Sequence, residues 1–116
     1  MLEFTTSVNT MLSWGSPYQL LIAHRWPGAT VVLFDVHSLI TDIYNNPTAY
    51  LDAPANVTGG WQNCNASGKC VDSSEPKSSF LWYDELHPSE QTERLVAMNF
   101  VDVVKGVSEY ATYWSS

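Results

Sequence analysis

Thr30-Val31-Val32-Leu33-Phe34 is the stretch that decides the fold class of this chain. A short, unbroken run of apolar and β-branched residues is typical of a strand buried on both faces of a parallel sheet. Trp26-Pro27-Gly28 precedes the run as a turn signal, and Asp35 ends it. The run therefore predicts an α/β fold, in which helices cover the sheet.

Apolar residues recur at helical spacing on both sides of this strand. Residues 5–25 predict one helix with a break at Gly15-Ser16-Pro17, because proline cannot continue the preceding helical hydrogen bonds. After the strand, His37-Ser38 leads into a second predicted helix, Leu39 to Tyr44, which ends before Asn45-Asn46-Pro47. The first half of the chain thus predicts the order helix, strand, helix.

A third helix is predicted in the last third of the chain. Pro88 and Ser89 are typical of a helix start, and Gly106 predicts its end. An apolar stripe is expected along this helix, and it consists of Leu95, Met98, Val101 and Val104.

Thr48 to Ser79 shows no stable period and is rich in Pro, Gly, Asn and Ser, so we expect a long irregular surface loop. One strand cannot satisfy its own backbone groups and needs neighbours, which we expect to be parallel and to lie outside this chain. The chain is therefore expected to be a single partial domain, residues 1–116, which is the last part of a doubly wound fold without its front half.

Composition restricts the classes of partner. The formal charge of −7, with five Lys and Arg, argues against electrostatic binding of nucleic acid. The sequence contains no apolar run of membrane-spanning length. The first fifteen residues carry no Lys or Arg and do not resemble a signal peptide.

Other residues nevertheless point to a secreted parent protein. Cys64 and Cys70 are the only cysteines and are close enough to close a small disulfide loop. Asn56-Val57-Thr58 and Asn65-Ala66-Ser67 fit the N-glycosylation pattern, whereas proline excludes Asn46-Pro47-Thr48. We therefore expect a disulfide-bonded, extracellular glycoprotein whose secretory start is not Met1.

The most informative chemical motif is Asp84-Glu85-Leu86-His87, which Pro88-Ser89 follows. An aspartate in this position can bind one imidazole nitrogen and leave the other free to accept a proton from a nucleophile. His87 and Asp84 are thus candidates for two thirds of a nucleophile–base–orienter triad. Trp82 and Tyr83 are interpreted as wall and packing residues.

The chain resembles the GDSL, or SGNH, lipase/acylhydrolases in the run Phe80-Leu81-Trp82-Tyr83-Asp84-Glu85-Leu86-His87-Pro88-Ser89-Glu90-Gln91. It looks most like the fungal family-16 carbohydrate esterases, which are acetylesterases. Tyr18 to Tyr50 and the tail through Gly106 and Tyr113-Trp114 are similar to the same group. The resemblance thus covers most of the chain, and its Asp-x-x-His-Pro block is the most specific part.

This resemblance implies a three-layer α/β/α, flavodoxin-like hydrolase with a five-stranded parallel sheet. His87 would be the catalytic base and Asp84 its orienting carboxylate. The substrate would be a small ester or an acetylated carbohydrate, and no cofactor is implied. The family's Gly-Asp-Ser block and its oxyanion-hole blocks do not occur in these 116 residues, and Ser16 follows no strand. The chain is expected to be inactive alone.

Three alternative interpretations remain beside this one. The chain could be a degenerate, non-enzymatic relative that retains aromatic contacts to sugars. Asp35 and His37 follow a strand, where α/β folds place their sites, although a turn cap and a loop histidine are the simpler interpretation. A zinc site is conceivable by inventory alone, because no pair has ligand spacing; the candidate ligands are His24, His37, His87, Cys64 and Cys70.

Overall fold

The computed structural model describes residues 2–116, which form three α-helices and six strands. The helices are α1 (Leu2–Pro17), α2 (Val36–Asn45) and α3 (Glu90–Val104), and a π-helical turn, Tyr18–Ile22, extends α1. The strands are β1 (Thr30–Phe34), β2 (Asn56–Gly60), β3 (Gln62–Cys64), β4 (Cys70–Asp72), β5 (Phe80–Trp82) and β6 (Ala111–Ser115). The predicted α/β class is confirmed in this coarse form.

β1 has the predicted bounds but not the predicted partners. It pairs antiparallel with β6, in the register Thr30↔Ser115 to Phe34↔Ala111. The expectation that every neighbour of β1 lies outside this chain, and that all are parallel, is therefore wrong. β1 is also half-buried rather than buried on both faces, and within residues 2–116 its other edge pairs with no strand.

The expectation of an irregular loop from Thr48 to Ser79 is also wrong. β2 pairs in parallel with β5, and β3 pairs antiparallel with β4. A disulfide joins Cys64 to Cys70 across the β3–β4 hairpin. In the turn of this hairpin, the Asn65 Oδ1 accepts hydrogen bonds from the amides of Ser67 and Lys69, both at 3.0 Å. Strands of three residues are too short to show a sequence period.

The helices follow the predicted pattern with shifted ends. α1 continues through Gly15 to Pro17, where the hydrogen bonding changes from α to π, so the expected break occurs at the proline. α2 begins at Val36, three residues before the predicted start, because Asp35 caps it. α3 is capped by Ser89, and Gly106 follows it with a φ of 77°.

The buried core lies between α2 and β5. Leu39, Ile43 and Leu81 are fully buried and pack with Leu51. Outside this core the apolar surface is extensive, since Met98, Val101 and Val104 of the predicted α3 stripe are exposed. The radius of gyration is 17.9 Å, against about 13 Å for a compact domain of this length. None of the helices in residues 2–116 is both long and apolar enough to cross a membrane.

Candidate active site around Asp84 and His87

Asp84 and His87 lie in the turn that connects β5 to α3. The Tyr83 amide donates to the His87 carbonyl at 2.8 Å, and the Ser89 amide donates to the Leu81 carbonyl at 2.9 Å. These two bonds fold residues 83–89 back onto β5. The turn thereby brings together two side chains that are three residues apart.

Buried groups fix this turn to the core. The Ser89 Oγ accepts from the Thr92 amide at 3.1 Å and so caps α3. The Thr92 hydroxyl donates at 2.8 Å to the Leu81 carbonyl, which also accepts from the Ser89 amide. Ser89, Thr92 and Leu81 are all buried. The segment that carries Asp84 and His87 is therefore attached both to a core strand and to the first turn of a helix.

The Asp84 carboxylate binds the turn and the imidazole together. Its Oδ1 accepts from the Leu86 amide at 2.8 Å and from the His87 amide at 2.7 Å. Its two oxygens lie 3.0 and 2.9 Å from the His87 Nδ1. The His87 amide, then the Leu86 amide and then the imidazole bind the charged carboxylate, which lowers the pKa of Asp84 to about 2.

His87 presents its ring to solvent while one nitrogen is held. Its side chain is 66% exposed, whereas that of Asp84 is 27% exposed. Because the carboxylate accepts at Nδ1, the neutral ring carries its proton there and keeps a lone pair at Nε2. This arrangement is suited to accepting a proton at Nε2 from a group that approaches from outside.

A shallow, open cleft adjoins the Asp84 side of the turn. It has a volume of about 350 Å³, and Thr58, Asn63, Trp82 and Glu85 contribute to its walls. The Trp82 Nε1 donates to the Val57 carbonyl at 3.2 Å, which fixes that ring as a wall. The packing role predicted for Trp82 is therefore confirmed.

Tyr83 lies in an aromatic group that sequence analysis did not find. Its ring stacks on Trp61 with 5.7 Å between centroids, and the Lys77 Nζ lies 4.3 Å from the Trp61 ring centre. Trp61 was overlooked because it lies outside the motif, in the segment that showed no period. An isolated tryptophan among polar residues was the available signal.

Asp35 has the simpler of its two predicted roles, whereas His37 lies in the first turn of α2 and is not the expected loop histidine. The Asp35 carboxylate accepts from the Ser38 amide at 3.0 Å and from the Ser38 hydroxyl at 2.7 Å, and so caps α2. The Ser38 hydroxyl and then its amide lower the pKa of Asp35. Asp35 therefore caps α2, in agreement with the capping role expected from the sequence.

The remaining predicted residues lie in the β2–β4 region. Cys64 and Cys70 are bonded to each other. Asn56 is half-buried, and its Oδ1 accepts from the Thr58 and Gly59 amides, whereas Asn65 is exposed in the hairpin turn. Across the described part of the chain, no group of three or more His, Cys, Asp or Glu is arranged to hold a metal ion.

Comparison with curated proteins shows similarity to ester hydrolases, which confirms the predicted resemblance. Over 98% of its length the chain is 50% identical to an acetylesterase of Hypocrea jecorina. Over 63% of its length it is 29% identical to a GDSL esterase/lipase of Arabidopsis thaliana. The chain spans 33% of the first relative and 21% of the second. No family model matches it.

Proposed function

We propose that this chain supplies the catalytic base and its orienting carboxylate to a serine ester hydrolase. The observation that carries the proposal is the contact of both Asp84 oxygens with His87 Nδ1, at 3.0 and 2.9 Å. The similarity to an acetylesterase over 98% of the chain supports the same chemistry. Asp84 holds the imidazole in one tautomer, and Nε2 of the exposed ring performs the proton transfer.

The proposed reaction proceeds in two proton-transfer stages. His87 Nε2 accepts the proton of a serine hydroxyl as its oxygen bonds to the ester carbonyl carbon, and Asp84 stabilises the resulting imidazolium. The imidazolium then returns the proton to the departing alcohol, which leaves an acyl-serine. Water, activated by the same nitrogen, hydrolyses that intermediate and releases the acid. No cofactor takes part.

The serine and the oxyanion hole belong, in this proposal, to another part of a three-layer SGNH-hydrolase domain. Residues 1–116 would be its carboxyl-terminal portion. Two observations support this assignment: the second edge of β1 is unpaired within residues 2–116, and Met98, Val101 and Val104 are exposed. The accessible surface is 8089 Å² for a 13.0 kDa chain, against about 6,350 Å² for a compact monomer of that mass.

The proposed substrate is a small acetyl ester or an acetylated carbohydrate. The name of the Hypocrea jecorina relative, acetylesterase, supports the acyl group. The Cys64–Cys70 disulfide supports an extracellular location for the parent protein. Asn56 and Asn65 are the proposed glycosylation sites.

A chimaera tests the proposal. The aligned third of the Hypocrea jecorina acetylesterase is replaced by this chain, and hydrolysis of an aryl acetate is measured. We expect turnover in the chimaera and a loss of at least about a hundredfold in kcat for His87→Ala and for Asp84→Ala. His24→Ala and His37→Ala are the matched controls and should retain activity. A His87→Ala chimaera with the parental kcat would rule out this base.

A non-catalytic, sugar-contacting protein is the second candidate. The half-buried Trp61–Tyr83 stack with Lys77 favours it, since aromatic faces and a cation suit a polar ring. Calorimetry with an acetylated oligosaccharide tests this candidate. Binding that Trp61→Ala abolishes, in a chain whose chimaera is folded but inactive, would favour this role over hydrolysis.

A further inference from the structure

Gly60 ends β2 directly beside the turn that carries the Asp–His pair. It pairs with Trp82, two residues before Asp84. A Cβ added at Gly60 would lie 2.9 Å from the Asp84 Cα and 3.0 Å from the Asp84 carbonyl carbon. A third backbone atom, the Gln62 carbonyl oxygen, would lie at 3.1 Å. The first separation is shorter than real Cβ atoms show, and the other two are tighter than most real contacts. All three neighbours are backbone atoms, so no side chain could move aside to relieve them.

The two residues that follow Gly60 are also bonded to the end of β5 and to the start of the turn. The Trp61 amide donates to the Trp82 carbonyl at 3.0 Å, and the Gln62 amide donates to the Tyr83 carbonyl at 2.7 Å. β2 therefore cannot retreat from Asp84 without breaking backbone hydrogen bonds to β5 and its extension. Gly60 itself lies outside the left-handed φ region, so the requirement is for space and not for backbone freedom.

The position of the Asp84 backbone decides where its carboxylate lies. The Asp84 Oδ1 reaches the Leu86 and His87 amides at 2.8 and 2.7 Å, and these are short contacts with little tolerance. A displacement of the Asp84 Cα by a few tenths of an ångström would lengthen them and turn the carboxylate relative to the imidazole.

We infer that Gly60 is a positioning residue: because it lacks a side chain, β2 packs directly against the Asp84 backbone and holds the carboxylate on His87. The importance of this contact for catalysis rests on the proposed function of Asp84 and His87. The contact itself is independent of that proposal. A larger residue at position 60 would displace the orienting carboxylate while it left the residues of the motif unchanged.

The titration of Asp84 in the full 116-residue chain tests the inference. Carbon-13 NMR of the Asp84 carboxyl should give a pKa of about 2 in the unaltered chain. Gly60→Ala should raise this pKa toward the ordinary 3.8, because the amides of Leu86 and His87 no longer reach the carboxylate. Thermal unfolding shows which variants are folded, and a loss of stability alone would not move the titration of the folded state.

Gly59→Ala is the matched control. The nearest atoms to a Cβ at Gly59 belong to the Asn56 side chain, at 3.5 Å, which is an ordinary contact. Gly59→Ala should therefore keep the pKa of the unaltered chain. A folded Gly60→Ala variant with an unchanged Asp84 pKa would overturn the inference. Because the experiment measures a titration and not turnover, a failure of the proposed ester hydrolysis would not change the conclusion about Gly60.

A second measurement needs no variant and applies even where Gly60→Ala does not fold. The close approach predicts a nuclear Overhauser effect between an α-proton of Gly60 and the α-proton of Asp84 in the unaltered chain. Its presence would support the packing of β2 against this backbone. Its absence would overturn the inference directly.

Discussion

The Asp84 carboxylate is held first by backbone amides and only then by its histidine. The amides of His87 and Leu86 are the two largest causes of its lowered pKa, ahead of the imidazole. The turn therefore orients the carboxylate whether or not the ring is present. This is the order that an orienting group requires, because it must be in place before the base acts.

We expect His87→Ala to leave the pKa of Asp84 well below 3.8, since both backbone amides remain when the ring is removed. Carbon-13 NMR of the carboxyl provides the measurement. Leu86→Ala is the control, because it also keeps both amides and the ring. A pKa that returns to 3.8 in His87→Ala would mean that the imidazole, and not the turn, holds the carboxylate.

The same pKa determines how stability depends on pH. Because folding lowers the pKa of Asp84 from 3.8 to about 2, its stabilising contribution is complete above 3.8 and is lost as the pH falls through about 2. Asp84→Ala should therefore be less stable than the unaltered chain near neutral pH, and the difference should vanish in strong acid. Urea unfolding at several pH values measures it.

Glu85→Ala, an exposed neighbour in the same turn, is the control for this pH series. Its stability relative to the unaltered chain should not follow the same acid transition. An Asp84→Ala variant that loses the same stability at all pH values would contradict the assignment to the charged carboxylate.

At the residue scale, sequence analysis could find Asp84 and His87 because their spacing is local and a single turn brings them together. It could not find Gly60 or Trp61. Their relation to the pair depends on the pairing of β2 with β5, whose register joins Gly60 to Trp82. A contact of this kind leaves no mark on the spacing of residues along the chain.

Among the elements, α2 is joined to two other segments by one carboxylate, in addition to its apolar core contacts. The Asp42 Oδ2 accepts from the Tyr110 hydroxyl at 2.7 Å and from the Tyr50 hydroxyl at 3.2 Å. The bond to Asp42, together with partial burial, raises the pKa of Tyr110. α2, the segment before β2 and the segment before β6 therefore meet at Asp42.

Tyr110→Phe should destabilise the chain by about 1 to 3 kcal/mol, because it removes a hydrogen bond to a charged, half-buried group. Urea unfolding measures the change. Tyr44→Phe on the exposed side of α2 is the control and should change stability much less. Equal effects of the two substitutions would mean that Asp42 does not join these elements.

At the element scale, the helices and β1 were predictable because their patterns are local. Ser89 marks the start of α3, and β1 has the predicted bounds. β6 was not predicted, although Thr, Tyr and Trp favour strands, since its pairing with the distant β1 leaves no local pattern. β-strand formation depends on the partner more than helix formation does.

Viewed as a whole, the molecule exposes many large apolar side chains. Phe4, Met11 and Trp14 on α1 are 75%, 71% and 76% exposed. Met98 and Val104 on α3 are 60% and 73% exposed. A surface of this kind is typical of an interface that another polypeptide segment covers.

We expect the isolated chain to self-associate and to bind a hydrophobic dye. Met98→Ser combined with Val104→Ser should reduce both effects, because it removes exposed apolar area from one face of α3. Sedimentation and dye fluorescence measure them. Ala97→Ser, exposed on the same helix, is the control. A chain that is monomeric at all concentrations would contradict the proposal that another segment covers this face.

At this scale the sequence indicated the need for neighbours of β1 but not their identity. One edge of β1 is paired within the chain, in antiparallel orientation, and only the other edge is left for a partner. A single predicted strand shows that its backbone groups need partners, because a strand cannot satisfy them by itself. The direction and source of those partners follow from the three-dimensional path of the chain.

The pairing of β1 with β6 also has a consequence in time. Thr30 and Ser115 are 85 residues apart, and at synthesis rates of about 5 to 20 residues per second the second strand follows the first by roughly 4 to 17 s. During that interval the edge of β1 that pairs with β6 has no partner. The nascent chain is therefore exposed to association through this edge until β6 is made, and chaperone binding would be most useful in that interval.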